Sequence, residues 1–351
     1  MKRSFAILVL VLMPQISVGQ TTLVVSARVL GDVNPCTCDV NPVGGLAQRT
    51  AQVPQLGVPG QTVMWVDAGN GLFDTPGPVP AEMMPNRRLT SITLIDAYNV
   101  GGMAAHNIGA NELAEGVDYL HRLEMRATFP FLSANLWWSE EQDQQGLHFS
   151  PDLVLRSAGE GDEDAIGIIG VVTGGLRGFG WVTTDPVKAV KERIKGLQER
   201  GISNIVVLAA MNVEDAQTMA KKIKGASTIV VSGSGTIDYG GVVVRKTTLI
   251  RPMYRGRSVA VLRRGPLGID VSEKDILREG DRNPKVEHLI KQLEQRMALP
   301  FEPPKGDTPA SDDGTAPFIP APNLEMQLKD LPIEVSADPD DEPQPTPSPQ
   351  E

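Results

Sequence analysis

The sequence has few of the side chains that bind metals most readily, with four histidines and two cysteines among 351 residues. It contains no CxxCH motif, so the pattern excludes covalently attached haem. After Met13 no segment approaches about 18 uninterrupted apolar residues, and no transmembrane helix is predicted there. Aromatic residues make up only 5% of the chain, but 41% of all residues are hydrophobic, which is enough to bury a core.

An excess of positive charge is also lacking. The formal net charge is −10, and the segment 302–351 accounts for all of it, with 12 acidic and 2 basic residues. The whole chain has 43 acidic and 33 basic residues, so the rest carries 31 of each sign. A neutral body offers nucleic acid no electrostatic footprint, and we expect no such partner. The tail, 301–351, is also rich in proline and is predicted to be disordered.

The N-terminus, 1–19, is typical of a signal peptide. Lys2 and Arg3 form a positive start, and the apolar run 5–13 is too short to span a bilayer. Ser17 and Gly19 place small residues at positions −3 and −1 of a cleavage site. We therefore expect export to the periplasm or the extracellular space, with no transmembrane segment after cleavage. An uncleaved N-terminal anchor is the alternative.

Predicted strands and helices alternate between 20 and 300. Short β-branched or apolar runs that end at polar or glycine turns predict strands, over 22–29, 63–67, 105–108, 129–136, 165–172, 205–208, 228–231, 242–250 and 258–263, with the last two as a closing β pair. Amphipathic spacing and capping residues predict helices, over 46–55, 86–99, 116–125, 185–201, 212–224 and 283–297. This alternation indicates a single α/β sandwich domain.

Several strand ends carry short motifs, and in combination these resemble the calcineurin-like metallophosphoesterases, in the branch of bacterial 5′-nucleotidases. The motifs are Gly44-Gly45-Leu46-Ala47-Gln48-Arg49, Val66-Asp67-Ala68-Gly69-Asn70, residues 107–116, Phe131-Leu132-Ser133-Ala134-Asn135 and residues 166–173. A subgroup with a Pro-Cys-Gly-Cys loop is similar at Pro35-Cys36-Thr37-Cys38. The resemblance implies an αββα sandwich of two mixed β-sheets flanked by helices.

The family hydrolyses phosphoesters with two metal ions, which activate water and neutralise developing charge. Its ligands are Asp, His and Asn side chains at strand ends. Carried over by position, the resemblance places them at Arg28, Leu30, Asn70, Ala110, Asn111, Ala210, Ser234 and Thr236. None of these positions keeps the family residue, so we predict that the dinuclear centre and its catalytic residues are lost. Arg28 would place a cation where metals stand in the family, and no cofactor is expected.

The four histidines are not expected to replace these ligands. His106 precedes the loop 107–116, His121 and His288 lie on predicted helices, and His148 lies in a polar loop. Metal ions need their donors in a fixed constellation, which this scatter does not suggest. Each histidine is expected to be a surface or partly buried side chain.

Polar residues at the strand ends could still bind a small ligand, and the candidates are Asp67, Asn70, Asn111, Glu112 and Ser234. The favoured alternative is that they cap helices and satisfy turns. The glycine turns at 174–175 and 232–235 could offer backbone N–H groups to an anion, although a plain turn is the expected reading.

The sequence therefore favours an exported, catalytically degenerate phosphoesterase-like domain that binds a protein partner or a small ligand. One alternative is residual metal-dependent hydrolysis at a mononuclear site of Asp67, Glu112 and Asp39, which would need divalent metal ions. Another is a redox or soft-metal module at Cys36 and Cys38. One intervening residue makes a small strained ring, so a disulfide, a reduced pair and a metal site are all open.

Overall fold

The computed structural model describes residues 21–37, 42–139, 146–156, 165–265 and 268–299. The predicted signal peptide, the predicted tail, Cys38 and Asp39 lie outside these residues. The described residues belong to one compact unit that ends at Leu299. No helix in this part of the chain is long and apolar enough to cross a membrane.

The described chain alternates strands with helices, as predicted. The strands are β1 (Thr22–Ser26), β2 (Val63–Asp67), β3 (Met103–Asn107), β4 (Phe131–Leu132), β5 (Leu136–Trp138), β6 (Asp152–Leu155), β7 (Ile166–Val172), β8 (Arg177–Gly178), β9 (Trp181–Thr183), β10 (Asn204–Ala210), β11 (Thr228–Val231), β12 (Val242–Val244), β13 (Thr247–Ile250), β14 (Ser258–Gly265) and β15 (Gly268–Asp275). The helices are α1 (Leu46–Gln52), α2 (Met84–Val100), α3 (Val117–Arg126), α4 (Pro186–Glu199), α5 (Val213–Lys222) and α6 (Pro284–Met297), with short 3-10 turns at Val53–Leu56 and Glu112–Glu115.

Two mixed sheets of six strands form the centre of the fold. The first has the order β15-β14-β1-β2-β3-β4. In it β1 to β4 are parallel, β14 is antiparallel to β1, and β15 is antiparallel to β14. The second has the order β12-β13-β11-β10-β7-β6, in which β13, β11, β10 and β7 are parallel and the two outer strands are antiparallel. The predicted α/β sandwich of two mixed sheets is confirmed.

Alternation along the strands of the second sheet divides the core into two layers. Ile168, Leu208 and Val230 pack with Leu23 and Val66 of the first sheet. The neighbouring residues in sequence point to the opposite face and pack against α4 and α5, namely Ile169, Val207, Ala209, Ile229 and Val231. Because successive side chains of a strand point to opposite faces, uninterrupted apolar strands are what a sheet covered on both faces requires.

Three of the helices, α4, α5 and α6, begin after a side-chain cap. The Asp185 side chain accepts hydrogen bonds from the backbone N–H groups at the start of α4, Asn212 does so for α5, and Asn283 for α6. The helices α1, α2 and α6 contact one another beside the first sheet, while α4 and α5 contact strands of the second. Helices therefore flank both sheets.

Two strand predictions are wrong. The range 129–136 is not one strand but contains β4, in the first sheet, and the start of β5, in a separate three-stranded sheet with β9 and β8. The ranges 242–250 and 258–263 do not form a closing pair. β12 and β13 form a hairpin at the edge of the second sheet, whereas β14 pairs with β1 and with β15 in the first. Apolar periodicity identifies a strand but not its neighbour.

Asn107, the last residue of β3, joins the two sheets through its side-chain amide. Its Nδ2 donates to the carbonyl oxygens of Ala68 at 2.9 Å, Leu208 at 3.1 Å and Val171 at 3.2 Å. Gly170 on β7 leaves room for this side chain, because a Cβ there would stand 2.4 Å from Asn107 Oδ1 and 2.7 Å from Leu132 Cβ. The close approach requires glycine.

We predict that Gly170→Ala destabilises the fold by about 1–3 kcal/mol, because the methyl group overpacks the contact between the sheets. Gly196→Ala is the matched control. Position 196 lies within α4 with nothing within 4 Å of an added Cβ, so alanine should stabilise the protein by about 0.5–1 kcal/mol. Urea unfolding measures both changes. An unchanged midpoint for Gly170→Ala would show that the contact between the sheets can accommodate a methyl group.

Candidate functional site

The carboxyl ends of the parallel strands of both sheets meet at one edge of the sandwich. Asn70, just after β2, donates from Nδ2 to the Ser232 carbonyl oxygen, just after β11, at 2.7 Å. Ser232 Oγ donates in return to the Ala68 carbonyl oxygen at 2.7 Å. Open α/β sheets bind ligands outside the carboxyl ends of their strands, so this edge is the candidate functional site.

Glu112 holds two loops of this edge together. Its carboxylate accepts hydrogen bonds from the backbone N–H groups of Asn70 at 2.8 Å, Gly71 at 2.6 Å, Leu72 at 2.9 Å and Gly109 at 2.8 Å. The side chain is fully buried. Charge-assisted bonds of this kind offset the cost of burying an ionised carboxylate. Glu112 is therefore committed to the loops after β2 and β3.

His106 lies between Glu112 and a second buried carboxylate. Its Nε2 is 3.4 Å from Glu112 Oε1 and its Nδ1 is 3.6 Å from Asp67 Oδ1, with all three side chains inaccessible to solvent. Burial alone would lower the pKa of His106, but the two carboxylates outweigh it and raise that pKa above its ordinary value. Burial would raise the pKa of Glu112, but His106 and the N–H groups of Leu72 and Asn70 hold it below its ordinary value.

Asp67, the last residue of β2, takes part in a second set of hydrogen bonds. Ser26 Oγ donates to Oδ2 at 2.6 Å, the backbone N–H of Gly69 donates to Oδ1 at 2.8 Å, and Trp65 Nε1 donates to Ser26 Oγ at 3.0 Å. Burial raises the pKa of Asp67 above its ordinary value, and the hydrogen bonds and His106 offset this only in part. Both carboxylate oxygens of Asp67 therefore accept hydrogen bonds from residues at the ends of β1 and β2.

Aromatic and basic side chains close the inner side of this cluster. The Tyr98 ring stacks on His106 with centroids 6.4 Å apart and meets Trp65 edge-on at 5.4 Å. The Arg49 guanidinium lies 5.9 Å from the Tyr98 ring centroid and is itself fully buried. Burial raises the pKa of Tyr98, so its hydroxyl stays protonated. The Asp67–His106–Glu112 cluster is therefore part of the core and has no face towards solvent.

Of the other candidate binding residues, Asn70 and Asn111 contact each other, whereas Ser234 makes a separate backbone contact. Asn70 Oδ1 accepts from the backbone N–H of Asn111 at 3.1 Å, and Asn111 Nδ2 donates to the Phe73 carbonyl oxygen at 2.8 Å. Both side chains are buried. Ser234 is exposed, and its carbonyl oxygen accepts from the backbone N–H of Val213. Asn70, Asn111 and Glu112 thus form hydrogen bonds with backbone groups of the surrounding turns.

The positions at which the resemblance expects metal ligands do not offer a suitable donor set. Arg28 and Leu30 have φ angles of 54° and 58°, and Asn70 has 55°, in the left-handed region. The amide nitrogen and the amide oxygen of Asn70 both form hydrogen bonds within the protein. The side chains of Ala110 and Ala210 have no atom that can bind a metal ion. In the described part of the chain no group of three His, Cys, Asp or Glu side chains could hold a metal ion. These residues do not fit a dinuclear centre.

His106 is the site residue that sequence reasoning placed wrongly. It was expected at or near the surface, but it lies on β3 in register with Asp67 on β2 and is fully buried. The parallel pairing of two adjacent strand ends is the signal that could have found it. His148 is also buried, with Nε2 3.0 Å from the Gly180 carbonyl oxygen. His121 and His288 lie on α3 and α6 as predicted.

Cys36 takes part in a disulfide bond, and Cys38 lies outside the described residues. The Cys36 carbonyl oxygen accepts a long hydrogen bond of 3.4 Å from Arg278 Nη1, and its backbone N–H donates to Val43. Pro35 forms an isolated bridge with Gly44, at the start of the double glycine before α1. The loop is thus tied to the body of the domain.

Comparisons with known proteins identify the fold. No protein-family model and no curated protein sequence matches the chain. Among solved structures, a 5′-nucleotidase precursor from Thermus thermophilus is 20% identical, with a TM-score of 0.65, covering 79% of this chain and 59% of that chain. The calcineurin-like phosphoesterase YfkN from Bacillus subtilis is 17% identical, with a TM-score of 0.62, covering 79% of this chain and 97% of that chain.

A sulfate thiohydrolase, SoxB from Thermus thermophilus in complex with glycerol, is 14% identical with a TM-score of 0.65, covering 79% of this chain and 61% of that chain. This chain thus spans about three fifths of the length of the two Thermus proteins. It has the fold of the 5′-nucleotidases and calcineurin-like phosphoesterases, as the motifs predicted. Likeness at this level of identity is a likeness of fold.

We predict that Glu112→Gln destabilises the protein by about 3–5 kcal/mol, because it removes one partner of a buried ion pair. The new amide NH₂ would also face backbone N–H groups that need an acceptor. Glu199→Gln, at an exposed residue 3.7 Å from Lys195, is the control and should change stability by less than about 0.5 kcal/mol. Urea unfolding compares the two, and equal small effects would show that Glu112 is not the anchor of the loops.

The buried cluster also predicts how stability changes with pH. The raised pKa of His106 contributes stability that is complete below pH 6.5 and is lost as the pH rises through its folded-state pKa. The raised pKa of Asp67 acts in the same direction. The lowered pKa of Glu112 contributes stability above pH 4.5 that is lost as the pH falls through its folded-state pKa.

The free energy of unfolding, measured by urea titration, should therefore decrease as the pH is raised above 6.5. This decrease should become smaller in His106→Gln, which cannot take up the proton. A slope that is identical in the two proteins would place the titrating group elsewhere.

Proposed function

We propose that this chain is an exported phosphoesterase-fold domain that has lost hydrolysis and binds a ligand or a protein partner. The proposal rests on the side chains at the carboxyl edge, the edge of the sandwich where the carboxyl ends of the parallel strands meet. Its two central carboxylates, Asp67 and Glu112, are buried and hydrogen-bonded to the protein's own strand ends. The positions around them carry arginine, leucine, alanine and asparagine side chains that cannot hold two metal ions.

The alternative of a mononuclear hydrolase finds little support in this geometry. Asp67 and Glu112 would have to release their hydrogen-bond partners and become accessible to solvent. Both ring nitrogens of His106 already face carboxylate oxygens, at 3.6 Å and 3.4 Å, so the imidazole stands between the two carboxylates that would have to hold a metal ion. Asp39, the third proposed ligand, lies outside the described residues. We therefore favour a binding function over a hydrolytic one.

Export is part of the proposal and rests on the N-terminal pattern. A positive start, a short apolar run and small residues before Gln20 are typical of a signal for secretion. The disulfide at Cys36 is compatible with an oxidising compartment. In this setting the partner is a small molecule or another protein, and the neutral body gives no reason to expect nucleic acid.

We predict that the mature full-length protein, purified after export, contains no stoichiometric Mn, Fe, Zn or Ca and does not hydrolyse phosphomonoesters, phosphodiesters or 5′-nucleotides. The reason is that no remaining donor set in the described part of the chain activates water. Elemental analysis and phosphate release, each measured with and without added divalent metals, test this. An active phosphoesterase of the same fold, assayed in parallel, shows that the conditions support turnover.

Near-stoichiometric metal, or hydrolysis that depends on added metal and survives repurification, would overturn the proposal. In that case Asp67→Asn decides whether the residual site is the mononuclear one. It should abolish the activity if Asp67 holds the metal. The exposed Asp238→Asn should leave it unchanged.

A further inference from the structure

A cluster of arginines at the carboxyl edge plays no part in the functions considered so far. The segment 251–257 connects β13 of the second sheet to β14 of the first and crosses the edge between them. The backbone N–H of Arg255 donates to the carbonyl oxygen of Arg28 at 2.7 Å, which holds this segment against the loop after β1. The crossing therefore gathers basic residues from two distant parts of the sequence.

Two of these arginines, Arg28 and Arg257, lie near one aromatic ring. The Arg257 guanidinium carbon is 4.6 Å from the ring centroid of Tyr254, and that of Arg28 is 5.8 Å from it. Arg251 Nε donates to the Gly233 carbonyl oxygen at 2.9 Å, which places its guanidinium beside the turn that follows β11. Tyr254 is 42% exposed, so solvent reaches the cluster.

Among the described residues, the guanidinium groups of Arg28, Arg251 and Arg257 have no acidic partner in an ion pair. Nearby Arg255 forms an ion pair with Asp32 at 3.2 Å. Glu273 acts on Arg251 at longer range. It is buried, and its Oε1 accepts hydrogen bonds from the Met253 N–H and the Ser258 hydroxyl. The positive charge of the cluster is therefore left uncompensated at short range.

The surroundings of Arg28 and Arg251 lower the pKa of both guanidinium groups. Burial and the charge of Arg251 lower the pKa of Arg28 to about 10, against the opposing effect of Tyr254. Burial lowers the pKa of Arg251 as well. Arg28 is also held with a φ angle of 54°, which costs a non-glycine residue free energy. A bound anion would offset the repulsion between these cations.

We propose that Arg28, beside Tyr254, and Arg251, beside the turn after β11, bind a phosphate or phosphoester group at the edge where the carboxyl ends of the strands meet. A guanidinium presents paired N–H donors in a plane, which match the oxygens of such a group. Arg28 stands at a position where the resemblance expects a metal ligand, so the site takes its positive charge from the protein itself. The inference rests on the proposed function, since it names the ligand class of the same edge.

Isothermal titration calorimetry of the full-length mature protein in low-chloride buffer tests this with two probes, inorganic phosphate and phenyl phosphate. We expect saturable binding, weakened about tenfold or more in both Arg28→Gln and Arg251→Gln, because each loses a charged hydrogen-bond donor. Arg177→Gln removes the same charge from an exposed residue on β8 and should change affinity by less than about twofold. Arg28→Lys keeps the charge and should retain part of the binding.

Tighter binding of phenyl phosphate would identify a phosphoester as the ligand, and equal binding would identify phosphate itself. The inference is overturned if neither probe binds saturably up to about 10 mM, or if Arg251→Gln, shown to be folded by circular dichroism, binds as the parent does. Phosphate released from phenyl phosphate is measured in the same samples. Turnover would refute the proposed loss of hydrolysis, whereas absent binding would refute only the anion site.

Discussion

The Glu112 carboxylate accepts four backbone hydrogen bonds from the loops after β2 and β3 and faces His106 across 3.4 Å, all without access to solvent. A buried carboxylate is costly unless such partners surround it, so the loops and the charge stabilise each other. Because the β2 loop also bonds to Ser232, the same arrangement sets the end of the first sheet against the end of the second. The geometry of the edge follows from this one buried charge.

Asn107 completes the arrangement a few residues away. Its amide donates to three carbonyl oxygens that belong to both sheets, and Gly170 leaves the space it needs. Together the two side chains keep the strand ends in place with groups of the protein alone. A fold whose edge is held by internal hydrogen bonds does not need metal ions to stay assembled.

The sequence predicts much of the fold because its strands are strongly apolar and three of its helices have side-chain caps. Ile166–Val172 and the caps Asp185, Asn212 and Asn283 match closely. The place of β14 could not be predicted, since pairing with β1 depends on tertiary contacts that periodicity does not encode. For the same reason His106 was missed. Its meeting with Asp67 is a consequence of strand register, and the inward turn of Glu112 is a consequence of loop geometry.

Attraction of a phosphoryl group and activation of water are two separate effects at such an edge. Metal ions in a phosphoesterase attract the substrate's negative charge and also lower the pKa of bound water, which makes the nucleophile. Arginine supplies the first effect without the second, because its guanidinium stays protonated and cannot activate water. In the proposed site, with Arg28 and Arg251 at the edge and Asp67 and Glu112 buried, the two effects would be uncoupled. Under the proposed function, a domain of this kind would attract a phosphoryl group without the means to hydrolyse it.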